Sequence, residues 1–159
     1  VFSSWSGGFT PTDLRDVTDH IAEMRRKTRH GVLYLARIPA GTHAFSEDEQ
    51  KMLHAFLVAI LPNVASVHHV IEGDGFVRSA RLGVVTHMAG QTPRARDFYV
   101  HASLEDAGRA VKAACGVDLG PEVARVAEMG EGSPPPERAS GAFREAARIV
   151  EGLRPTRKP

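Results

Sequence analysis

Cysteine is nearly absent from this chain. Cys115 stands alone among 159 residues, which excludes an internal disulfide and any cysteine-rich zinc site. Charge of one sign is also missing. The formal net charge is +1, so no global field steers nucleic acid or anionic lipid toward the protein. No long apolar run occurs. The best candidate, residues 55–61, falls far short of the roughly 20 residues that a spanning helix needs. Residues 1–8 lack the basic start and apolar stretch of a signal peptide. The expectation is a soluble cytoplasmic protein without a membrane span, a nucleic-acid partner, a metal or a cofactor. There is no repeat at the periods of solenoid proteins.

What is present is a regular alternation of short apolar strands and amphipathic helices. Strands are expected at residues 1–5, 31–38, 66–71 and 97–101, and helices at 11–28, 46–61, 76–89 and 104–115. Such alternation requires parallel strands joined by helical crossovers, an α/β fold. The continuously apolar Val32-Leu33-Tyr34-Leu35-Ala36 reads as a central strand covered on both faces, so helices are expected on both faces of a short, mainly parallel sheet. Thr10 reads as the cap of the first helix, with Pro11 at its first position and Leu14, Val17, Ile21 and Met24 on one apolar face. Ser46 and Glu49 form a capping box before a broad apolar face of Met52, Leu53, Phe56, Leu57 and Ile60. In the third helix Phe76, Val77, Ala80, Val84 and Met88 form the expected inward face, with Arg78 and Arg81 pointing away. A domain at 1–116 is expected to be followed by a short helix from Pro121 and a Gly/Pro-rich linker within 117–136. A C-terminal helix and basic tail then fill 137–159.

Three stretches carry a resemblance. They are residues 31–39 leading to the capped helix at Ser46, residues 67–76 with a strand–Glu-Gly-x-Gly–helix junction, and residues 97–106, where a strand ending in His-Ala-Ser enters Leu-Glu-Asp. In this order of elements the chain resembles the STAS fold of the anti-sigma-factor antagonists. Within that fold it resembles the SpoIIAA-like branch, sometimes grouped with SEC14-like lipid-transfer domains. The resemblance implies a regulatory or scaffold module that acts through protein–protein contact, and not an enzyme. In sigma-regulating members a serine at the start of the second helix is phosphorylated. Here residues 41–49 carry Thr42 and Ser46 but lack the Asp-Ser-Ser-Gly arrangement, and Ser46 already has a capping role. A usual STAS domain opens with two paired strands. Only one is available before the first helix here, and the open edge that results is a place for a homodimer.

The expected partner surface comprises Thr42, Ser46, Glu47 and Glu49 with Arg78 and Arg81. A second reading, a carrier or sensor of a small apolar ligand, places a pocket at Phe56, Leu57, Phe76, Val84 and Met88, because both helices carry surplus apolar residues. A third, a small enzyme, would draw on Glu72, Asp74, His69 and Arg78. No G-x-S-x-G elbow, Walker lysine or H-x-x-x-H pair supports it. His68 and His69 alternate faces on one strand and so cannot chelate one metal, whereas His69 and His101 are expected to approach across neighbouring strands. Cys115, near a helix C-terminus, is expected to be packed and unreactive.

Overall fold

The computed structural model describes residues 1–6, 9–29, 31–121 and 124. They fall into two compact units, Phe2–Ser103 and a second that starts at Leu104. The expected helix from Pro121 runs beyond the described residues, and the linker at 130–136 and the helix at 139–153 lie outside them.

The first unit contains strands β1 (Phe2–Ser4), β2 (Val32–Ile38), β3 (Val64–Ile71) and β4 (Phe98–His101), joined by helices α1 (Pro11–Lys27), α2 (Glu47–Ile60) and α3 (Gly75–Gly90). The four strands form one all-parallel sheet in the order β1-β2-β3-β4, so the chain is an α/β protein. Right-handed crossovers between sequential parallel strands keep their helices on the same side. Accordingly α1 packs on α2, and α2 and α3 flank a common groove. Within this unit the three connecting helices share one face, and Leu35, His68 and Val70 on the other face are buried as well.

Alternation along the strands sorts the side chains. Tyr34, Ala36 and Ile38 of β2, with Val67, His69 and Ile71 of β3, point toward the helices and are fully buried or nearly so. Tyr34 packs edge-on against Phe56 of α2 at 5.6 Å between ring centres. Its hydroxyl and that of Ser3 on β1 lie 2.7 Å apart in a hydrogen bond, and burial pushes the phenol pKa up to about 12. The opposite face carries Leu33, Leu35 and Arg37 of β2, Ser66, His68 and Val70 of β3, and Tyr99 and His101 of β4.

The helices start where side-chain oxygens satisfy their first amides. Thr10 and Asp13 form a reciprocal capping box, with the Thr10 amide donating to Asp13 Oδ2 at 2.8 Å. Ser46 and Glu49 do the same for α2. Such caps typically contribute about 1 kcal/mol. The buried face of α1 is Leu14, Val17, Ile21 and Met24, as expected. That of α2 is Leu53, Phe56, Leu57 and Ile60. Its surplus apolar residues Ala55, Val58 and Ala59 are exposed and are not covered by a second layer.

α3 departs from expectation. Its buried residues are Arg81, Val85, Met88 and Ala89, so the helix is turned by about one residue, or 100°, from the phase that its apolar pattern suggested. In the second unit, helix α4 (Leu104–Cys115) buries Leu104, Ala107 and Val111. Cys115, expected to be packed, is exposed. Its thiol donates to the Val111 carbonyl at 3.1 Å.

These assignments predict that Leu57→Ala costs about 2–5 kcal/mol in urea unfolding, whereas the neighbouring Val58→Ala changes stability by no more than about 0.5 kcal/mol.

Candidate functional site

In open parallel sheets, functional groups collect outside the carboxyl ends of the strands. Here that end is formed by the loop after β2 and the Glu72-Gly73-Asp74 turn after β3. Gly73 (φ +94°) and Gly75 (φ +63°) adopt the left-handed backbone this turn needs. A side chain on Gly73 would crowd Ala40 at 3.3 Å, so glycine also lets the two loops touch. Glu72 returns its carboxylate to Arg37 in a two-pronged ion pair at 2.8 and 2.9 Å, and its amide donates to the Ile38 carbonyl.

Arg81 reaches from α3 under the β2–α2 loop. Its guanidinium donates to the carbonyls of Pro39 and Ala40 at 3.1 Å and to that of Thr42. The residue is 2% exposed, and burial lowers its pKa; a guanidinium nonetheless keeps its charge in a protein. Three carbonyl dipoles thus do the work of a counter-ion. Arg81 is therefore not a contact residue, which corrects the sequence reading. Thr42 is corrected too: it is buried and donates its hydroxyl to the Trp5 carbonyl at 3.1 Å.

The other expected surface residues divide. Ser46 and Glu47 are exposed, the first as a cap and the second paired with Lys51 at 2.8 Å. Glu49 is half-buried, holding Ser46 and, at 3.0 Å, His43. Arg78 is half-buried and donates to the Ile71 carbonyl at 3.1 Å.

Beside this clamped platform, Phe76 is 86% exposed and Val77 42% exposed. The apolar pattern of the sequence predicts both to face inward. They occupy the first turn of α3, and Asp74 before them makes no side-chain capping bond. An exposed phenylalanine ring leaves roughly 1.5–3 kcal/mol of burial free energy unused.

The apolar-ligand pocket does not assemble as expected. Phe56 and Leu57 belong to the packed core, and Phe76 faces solvent. Only Val84 and Met88 line the open groove of about 430 Å³ between α2 and α3, together with polar Glu47, Lys51, His54 and His87.

The four residues of the enzyme reading do not converge either. His69 lies on the helix-covered face, while Glu72 pairs with Arg37 and Arg78 caps the end of β3. Among the described residues no group of three or more His, Cys, Asp and Glu could hold a metal, and no helix is long and apolar enough to cross a membrane.

No protein-family model, curated protein or solved structure matches the chain.

The histidines meet differently from expectation. His69 packs beside Phe98, fully buried, with neither ring nitrogen hydrogen-bonded. It is His68 that reaches His101, with Nδ1 and Nε2 3.0 Å apart. The parallel register pairs His68 with Tyr99, so His101, two residues on, shares its face. This could not be read without the register.

Arg81→Met removes three hydrogen bonds from the loop carbonyls of Pro39, Ala40 and Thr42, and the buried one, that of Thr42, costs about 1–3 kcal/mol when left unsatisfied. It should cost at least about 2 kcal/mol in denaturant unfolding and accelerate amide exchange in the β2–α2 loop. A second prediction concerns acid. Burial first, then neighbouring histidine charge, lowers the pKa of His68 and of His69 to about 4 from 6.5. Between those values the unfolded chain binds more protons than the folded one, so stability present above pH 6.5 is lost as pH falls toward about 4. Thermal melts across that window should show a falling midpoint, with a shallower fall for His69→Leu.

Proposed function

We propose that this chain is a non-enzymatic regulatory or scaffold module that works through protein–protein contact in the cytoplasm. The observation that carries the reading is Phe76, an aromatic ring 86% exposed beside Val77 on the first turn of α3. Aromatic side chains anchored on a rigid support dominate protein interfaces. The support here is unusually well tied: Arg81 binds three loop carbonyls, Arg78 binds the end of β3, and Arg37 binds Glu72. A surface held this way loses little entropy on docking.

The STAS-like order of elements favours the same class of function. The edge strands β1 and β4 are short, and a second copy of the chain is one candidate partner. The apolar-carrier reading has less behind it, because its proposed lining is split between core and solvent.

Phe76 is exposed, so Phe76→Asp should leave the melting temperature within about 2 °C of the parent. With a photo-cross-linking residue at Val77 in the expressing cell, the parent should give discrete adducts and the Phe76→Asp variant none. A cross-linker at Arg96, far along the chain and 93% exposed at its side chain, serves as the control. Adducts at Val77 that match those at Arg96, or survive Phe76→Asp, would contradict the reading.

A further inference from the structure

A line of hydrogen-bonded side chains crosses the sheet face opposite the connecting helices. Ser66 Oγ lies 3.1 Å from His68 Nε2, and His68 Nδ1 lies 3.0 Å from His101 Nε2. The two imidazole planes differ by 7° and their centres are 5.2 Å apart. With a nitrogen–nitrogen distance of 3.0 Å, that separation sets the rings nearly in line, edge to edge, and the bond is a well-directed N–H···N. The Tyr99 ring lies against His68 at 4.8 Å. Ser66 is half-buried, while His68 is 3% exposed. A hydroxyl in reach of one imidazole nitrogen, whose other nitrogen is oriented by a third group, is the arrangement that activates a serine. The proposed interaction surface does not use it.

We infer that Ser66 is an activated nucleophile that accepts an acyl group from an activated ester or thioester, with His68 as its general base and His101 as a positioning residue. In the tautomer required, His68 Nδ1–H donates to His101 Nε2, and the Nε2 lone pair of His68 faces the Ser66 hydroxyl. Oγ attacks the acyl carbon and a C–O bond forms. The hydroxyl proton passes to His68 Nε2. The bond from the acyl carbon to the leaving sulfur or oxygen breaks, and the leaving group takes the proton from His68. No oxidant or further reactant is needed. Burial keeps His68 uncharged at neutral pH, so its nitrogen is free to accept.

Between Val67 and Val70, β3 is paired on both sides. In that stretch the ladder engages the β3 amides and leaves none to hold an oxyanion, a feature that fast turnover relies on. The expected outcome is stoichiometric acylation of Ser66 and not rapid ester hydrolysis. Covalent marking of this kind is compatible with a module that does no catalysis of its own.

The test uses the full chain and two probes, p-nitrophenyl acetate and an alkyl fluorophosphonate, with peptide mass spectrometry to locate the adduct. A positioned general base typically contributes 10²–10⁴-fold, so Ser66 should be labelled at least about 100-fold faster than the exposed Ser79. His68→Gln should bring Ser66 down to the Ser79 rate, with thermal melts reporting whether that variant folds. Ser66 labelled no faster than Ser79 in the parent protein overturns the proposal whatever the variants do.

His101 is tested by the acid limb of the labelling rate. Around His68 the polar and charged groups on this face, among the described residues of the first unit, are Ser66 of β3, Tyr99 and His101 of β4, Arg37 of β2 with its partner Glu72, and Ser4 of β1. His101→Gln takes away the neighbouring imidazole that lowers the His68 pKa, so the midpoint should move to higher pH. An unmoved midpoint would remove His101 from the relay.

Discussion

The guanidinium of Arg81 is the constraint on which the candidate site depends. Arg81 is among the largest fully buried side chains of the described residues, and it lies where a helix would ordinarily place an apolar residue. Its three carbonyl partners belong to one loop, so a single side chain fixes the distance between α3 and the segment that leads into α2. Burying a charge is costly unless it is well hydrogen-bonded. The arrangement therefore tolerates little variation in loop geometry. Because Arg81 points inward, the first turn of α3 is rotated so that Phe76 points out. The buried arginine and the exposed phenylalanine are two consequences of one helix phase.

That phase marks the limit of what the amino-acid order reveals. The strand–helix alternation, the cap at Thr10, the Ser46–Glu49 capping box and the buried stripes of α1 and α2 are legible, because each rests on local chemistry: a hydroxyl before the first turn, a carboxylate three residues later, or apolar side chains at helical spacing. α3 carries apolar residues around much of its circumference. Leu82, Val84 and Val85 are contiguous but for Gly83, and rotation by one residue leaves a comparable apolar face. The deciding contribution is the set of loop carbonyls that Arg81 meets, which are about 40 positions away in sequence. No local pattern contains them.

The histidines teach the same lesson. That His68 and His69 face opposite ways follows from the strand repeat alone. Which of them meets His101 depends on how β3 and β4 are aligned, and shifting a register by one residue exchanges the faces of a strand. The parallel pairing His68–Tyr99 brings His68 to His101 and leaves His69 unpaired in the apolar layer. The two faces of β3 are consequently unlike. One holds a neutral imidazole among Val67, Ile71 and Phe98, and the other a chain of three hydrogen-bonded polar groups.

The most direct measurement of the helix phase is nitrogen-resolved NMR of the arginine side chains. The Arg81 Nη protons should give separate, slowly exchanging signals with contacts to the β2–α2 loop, and the Phe76 ring should show no contact with core methyl groups. A fast-exchanging, averaged Arg81 signal together with Phe76 contacts to Val67 or Ile71 would contradict that phase.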